Sequence, residues 1–166
     1  MAVITRVYLD TNVYADAARG EDPPGRAASL ARALLAMIHA RRLKLVTSVL
    51  VRREVMSAPE PALRRRLLAC IPGDSETEER VHTSSADFRR ARQFMARVPG
   101  LGRNDALHIA LAIKAKADVL VTQDRRNLLS SIRNAHKALG EPAFRALFGQ
   151  LRFVDLLEWW NEVEHG

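Results

Sequence analysis

The chain has 166 residues, 48% of them hydrophobic, enough to bury a core and about the size of one ordinary domain. No apolar stretch approaches the roughly 20 residues of a membrane span, and the N-terminus lacks the charged-then-apolar layout of a secretory signal, so a soluble, cytoplasmic protein is expected. One cysteine, Cys70, excludes an intrachain disulfide and reads as a buried structural thiol; a net charge of +7 favours a polyanionic partner, nucleic acid or acidic protein.

In chain order, residues 2–9 are short, apolar and β-branched, as a buried first strand is. Glu21-Asp22-Pro23-Pro24-Gly25 reads as a loop. Leu30, Ala33, Leu34, Met37 and Ile38 then repeat at helical spacing and predict an amphipathic helix over 26–41. Leu43 to Thr47 reads as the second strand. Ser48 is placed to N-cap a helix from Val49 to Ser57 that carries Glu54, and a third helix runs to Cys70 before Pro72-Gly73-Asp74 interrupts it.

Phe88, Ala91, Met95 and Val98 are spaced three, four and three residues apart and predict a helix over 84–98, followed by the loop Pro99-Gly100-Leu101-Gly102. Residues 104–116 are apolar on nearly every helical face, which predicts a buried central helix. After it come a strand at 119–122, a helical stretch over 125–139, a turn at Gly140-Glu141-Pro142, a last strand near Leu151 to Val154 and a closing helix from Asp155. Of the adjacent Trp159 and Trp160 in that helix, one is expected in the core and the other at an interface, since neighbours point about 100° apart. Strands alternating with helices at separations that forbid hairpins imply a parallel α/β sheet.

Four acids stand out against this background. Asp10 closes the run Val7-Tyr8-Leu9, Asp124 closes Val119 to Gln123, Asp105 opens the central helix and Glu54 lies on the helix after strand two. In open parallel sheets ligands bind outside the C-terminal strand ends, where Asp10 and Asp124 fall. Like charges crowded in a crevice cost free energy unless something compensates, and a divalent metal is the simplest compensator. Each acid also has an ordinary explanation. Asp10, Asp105 and Asp124 could cap helices, and Glu54 could pair with Arg52 or Arg53 on the surface.

The blocks Val7-Tyr8-Leu9-Asp10-Thr11-Asn12-Val13, Ser48 to Val55, Asn104-Asp105-Ala106-Leu107-His108-Ile109-Ala110-Leu111-Ala112 and Leu120-Val121-Thr122-Gln123-Asp124 together resemble the motifs of the PIN-domain nucleases. The resemblance is strongest to the VapC-like ribonucleases that serve as toxins of type II toxin–antitoxin pairs, and it spans essentially the whole chain. It implies a three-layer α/β/α sandwich around about five parallel strands, in one domain over 1–166. It implies a Mg²⁺- or Mn²⁺-dependent endoribonuclease whose ion is held by Asp10, Glu54, Asp105 and Asp124, with Thr11, Asn12 and Thr122 in support. An RNA substrate, an antitoxin and a homodimer are expected on the same ground. The segment from Asn127 to Gln150 departs from the family by its length.

Those residue types suit the chemistry, because hard divalent ions take oxygen ligands and retain open positions for water and phosphate. The expected reaction is attack of a metal-activated water on an RNA phosphodiester. Arg103, Arg125 and Arg126 flank the third and fourth acids, where they could meet phosphates or merely form a charged surface. His108 follows Asp105 by one helical turn. It reads as a hydrogen-bonded packing residue, with a catalytic role as the alternative. A non-cleaving RNA-binding module is the other class that fits. An aspartyl-nucleophile phosphatase is disfavoured because position 12 is Asn where such enzymes need a second acid.

Overall fold

The computed structural model describes residues 5–19 and 25–165. Strands β1 (Arg6–Leu9), β2 (Lys44–Ser48), β3 (Thr77–Val81), β4 (Val119–Thr122) and β5 (Arg152–Asp155) form one sheet in the order β3-β2-β1-β4-β5. Every pairing is parallel. Parallel neighbours need crossovers, and each crossover here carries two helices. These are α1 (Thr11–Ala17) and α2 (Arg26–His39), α3 (Val49–Met56) and α4 (Pro61–Cys70), α5 (Ser85–Arg97) and α6 (Arg103–Lys114), and α7 (Ser130–Leu139) and α8 (Glu141–Phe148). The last helix, α9 (Leu156–His165), follows β5 directly.

Contacts sort the helices into two layers, α1 to α4 with α9 and α5 to α8, one on each side of the sheet. Covering both faces explains why consecutive strand residues are apolar rather than alternating: Val7, Tyr8, Leu9, Leu120 and Val121 are all buried. The sheet order reverses between β1 and β4, which makes the crevice above their C-terminal ends the topological switch point where such sheets bind ligands. The three-layer α/β sandwich expected from the sequence is the observed fold. No helix among the described residues is long and apolar enough to cross a membrane.

Most elements fall within a residue or two of their expected bounds. The first strand is seen from Arg6, and residues 2–4 of its expected span, like Glu21 to Pro24 of the expected loop, lie outside the described residues. The helix predicted to reach residue 41 ends at His39, and Arg41 takes a left-handed φ of 55°. Trp159 is buried and Trp160 half-buried against the core. Cys70 is half-buried, packed against a small satellite cluster of Ala18, Val55 and Leu67.

Three elements correct the sequence reading, the first of them α1, which occupies a stretch between the first strand and the Glu21–Gly25 loop to which no element was assigned. β3 was not foreseen, because Thr77-Glu78-Glu79-Arg80-Val81 is an edge strand whose charges suit one open side, and it pairs with β2 through an irregular register near Leu45 and Val46. The turn expected at Gly140-Glu141-Pro142 is instead a break at Gly140, with φ of 76°, followed at once by α8. Pro142 sits in the first turn of that helix, where its missing N–H costs nothing. Phe148 of α8 packs against Phe94 and Phe153, and Phe144 against Phe153, with ring centroids 5.0 to 6.4 Å apart, which fastens the long 127–150 segment to the sheet edge.

Candidate metal centre

Asp10 leaves β1 and N-caps α1 with extended backbone. Its amide donates to the carbonyl of Val121 at 3.0 Å, which carries the β1–β4 pairing one residue past the strand. Its carboxyl is surrounded by donors. Oδ1 accepts from the Thr11 amide at 2.7 Å, while Oδ2 accepts from Asn12 Nδ2 at 2.8 Å and Thr122 Oγ1 at 2.7 Å. Asn12 in turn spans the two strand ends, donating to Thr122 Oγ1 at 3.0 Å and accepting the Gln123 amide at 2.9 Å. A carboxyl this buried requires such donors, since stripping water from it without replacement is costly.

Glu54 reaches the same crevice from α3. Its Oε2 accepts from Thr11 Oγ1 and from His108 Nε2, the latter at 2.9 Å, and its Oε1 accepts from Asn104 Nδ2 at 3.3 Å. Burial by itself would raise this carboxyl, but the hydrogen bond and charge of His108 and the Thr11 hydroxyl outweigh it and hold the group below its ordinary range. Glu54 is therefore not a surface partner of Arg52 or Arg53.

His108, on α6, is almost wholly buried, with Nδ1 2.8 Å from the Tyr8 hydroxyl and Nε2 3.7 Å from Asp10 Oδ1. Burial disfavours the imidazolium, yet the Glu54 bond and the charges of Asp10, Glu54 and Asp105 prevail, and its pKa is raised. The Tyr8 hydroxyl also meets Ser48 Oγ at 2.7 Å. Ser48 occupies the N-cap position of α3 as expected but makes no capping bond with its side chain. A Ser cap contributes about 1 kcal/mol to a helix, and that contribution is forgone here.

Asp105 stands in the first turn of α6 with its carboxyl turned back over Gly102, where an added Cβ would come within 3.0 Å of Oδ2. Burial and then the charges of Asp10 and Asp124, with a smaller push from Glu54, raise its pKa to about 6 despite the opposing pull of His108. Asp124 caps a single π-helical turn, Arg125–Leu129, that leads into α7. It accepts from the Asn127 amide at 2.9 Å and Asn127 Nδ2 at 3.2 Å. Asp10 and Asp124 thus cap helices and also face the crevice, so the two explanations offered for them coexist.

The four acids, with Thr11, Asn12 and Thr122, are brought together at the switch point. The arginines are not grouped with them in the same way. Arg103 lines a hollow between α5 and α6 with Phe88 and Met95, and Arg125 is tied to Asp155 at 2.9 Å, while Arg126 is exposed. Arg125 does border a crevice of about 740 Å³ that opens beside Asn12 and Asp124 and extends to Arg19 and Arg26. Sequence reasoning placed His108 in the packing and overlooked Tyr8 and Ser48. The signal for His108 was its single-turn spacing from Asp105.

A carboxylate oxygen each from Asp10 and Glu54, together with His108 Nε2, lie within 4.8 Å of one another and could hold a metal ion. The donor set fits a hard divalent cation, because it is rich in carboxylate oxygen and because Asp105 carries repulsion that the protein's own groups do not cancel. Curated proteins give no match to the chain. A family model described as PIN domain matches residues 7–134, from β1 into α7. That span covers most of the chain and holds all four acids, and the chain belongs to the PIN-domain nuclease family.

Proposed function

We propose that this chain, as a single domain over 1–166, is a Mg²⁺- or Mn²⁺-dependent endoribonuclease and the VapC-like toxin of a type II toxin–antitoxin pair. The observation that carries the catalytic part is the convergence of Asp10, Glu54, Asp105 and Asp124, from two strand ends and two helices, at one crevice. Asp10, Asp105, Asp124 and Glu54 would hold the ion. When bound, the ion supplies an activated water and neutralises charge that develops on the phosphate and the leaving 3′-oxygen.

The chain's own groups do the positioning. Thr122 and Asn12 fix the Asp10 carboxyl, and Gly102 leaves room for that of Asp105. Glu54, kept charged by His108 and Thr11, accepts a hydrogen bond from the attacking water and so aims it at phosphorus. The P–O3′ bond then breaks, leaving a 5′-phosphate and a 3′-hydroxyl. RNA as substrate is supported by the net charge of +7 and by Arg19, Arg26 and Arg125 along the adjoining crevice. An acidic antitoxin suits the same surface, and cytoplasmic action as a homodimer follows from the toxin reading.

The decisive experiment expresses wild type and Asp10→Asn from an inducible promoter and maps new RNA 5′-ends across the transcriptome. Growth arrest with new 5′-phosphate ends in wild type alone is the expected result. RNA retained without new ends, under Mg²⁺ or Mn²⁺ in vitro, would leave a binding module in its place.

A further inference from the structure

We propose that Tyr8 and Ser48, through His108, form a buried relay that sets the orientation of Glu54, and that these three are positioning residues of the site. The chain of contacts is continuous: Ser48 Oγ to Tyr8 OH at 2.7 Å, Tyr8 OH to His108 Nδ1 at 2.8 Å, and His108 Nε2 to Glu54 Oε2 at 2.9 Å. It draws on β1, the end of β2, and α6 to reach a residue on α3.

Two local departures from foldability point to a use beyond packing. A phenol hydroxyl lies at the centre of β1 with no exposure, where Phe would fill the same space without burying an oxygen. Ser48 holds an N-cap position yet spends its hydroxyl on Tyr8 instead of on the helix. Natural chains break such rules chiefly at functional sites. The ring of His108 is also fully committed, with Nε2 on Glu54 and Nδ1 on Tyr8, so binding a metal through Nε2 would cost it the Glu54 bond. The geometry therefore assigns His108 to hold a ligand or water-orienting group in place, as outer partners of metal ligands do.

The relay rests on the nuclease reading of Glu54, and its test separates the two. In the metal-free full-length protein, the side-chain ¹³C resonance of Glu54 is followed by NMR in wild type, Tyr8→Phe and Ser48→Ala. Tyr8 and Ser48 have no hydrogen bond to Glu54 among the described residues, so the relay predicts that the His108 ring ¹⁵N signals and the Glu54 signal shift together in both folded variants. An unmoved signal in either folded variant overturns the proposal, whether or not the protein cleaves RNA.

With Mn²⁺ and single-stranded RNA, Tyr8→Phe is expected to lower kcat about 10-fold, within the range for outer-shell partners, with KM nearly unchanged. Ser48→Ala, one contact further away, lowers kcat less and preserves folding should Tyr8→Phe fail. A cycle with Glu54→Gln completes the test, since a residue acting through Glu54 has no further effect once Glu54 is replaced. An equal loss in both backgrounds would make the relay structural only. Absence of cleavage by wild type removes the nuclease reading and leaves the NMR result to decide the relay.

Discussion

The two ends of the same central strands handle charge in opposite ways. At the N-terminal end, Arg6 donates through its amide to Asp118 at 2.7 Å and through its guanidinium to Glu79 at 2.8 Å and to the carbonyls of Ala115 and Lys116. Charge there is matched locally and sits near water. At the C-terminal end, three aspartates and a glutamate crowd one crevice, where the His108 ring meets Glu54 and lies near Asp10, and Asp105 is pushed up to about 6. A sheet that can neutralise charge at one end and leaves it in excess at the other marks the second end as the place where something else supplies the positive charge.

The sharpest way to break this contrast is to remove one crowded acid. Asp10→Asn should lower RNA cleavage by more than the roughly 10–100-fold typical of losing an outer-shell partner, measured as kcat/KM with Mn²⁺ or Mg²⁺. Full activity in a folded Asp10→Asn protein would sink the assignment. Next in size is stabilisation by the ion itself. Mn²⁺ at 100 times its dissociation constant should add about 2.7 kcal/mol to unfolding free energy, reversed by EDTA and lost in Asp10→Asn.

Asp105 sharpens the comparison through pH. Its pKa rises on folding from 3.8 to about 6, so the folded state binds the extra proton between those values. Stability from this group is complete below about pH 4 and is lost as pH rises through about 6. Without metal, Asp105→Asn should therefore be more stable than wild type at pH 7.5, with the gap closing toward pH 4. Urea unfolding at both pH values checks this, and a gap independent of pH would contradict it. Smallest of all, Glu79→Gln at the opposite end should cost about 0.5 kcal/mol or less, because the pair is partly exposed and Arg6 keeps two carbonyl acceptors.

What the sequence made legible follows the same physics. Asp10 and Asp124 were conspicuous because each ends a run of buried apolar residues, and the parallel sheet was readable because strands covered on both faces cannot hide among polar residues. Glu54 was faint, since an acid on an amphipathic helix looks like any solvated residue until the tertiary fold turns it inward. β3 was invisible for the reverse reason: at the sheet edge Glu79 is exposed and Arg80 half-buried, with Val81 buried after them, so the strand shows no apolar run. α8 hid behind Gly140 and Pro142, although Phe144 and Phe148, four residues apart, carried the helical signal. Nothing local distinguished Tyr8 from a core residue or Ser48 from a cap. Their contacts span 40 and 100 residues of sequence, so only the folded chain displays them.

The bond from the Asp10 amide to the Val121 carbonyl, with the Thr122 side chain closing on the same carboxyl, has a kinetic consequence. Asp10 is clamped between the two innermost strands of the sheet, so no loop opening or helix fraying can release it alone. Its amide should exchange hydrogen with solvent only through whole-molecule opening, at the rate of the slowest core amides of β1 and β4. Heat should accordingly free Asp10 only in the cooperative step that parts β1 from β4, with no intermediate temperature at which the intact sheet has released it.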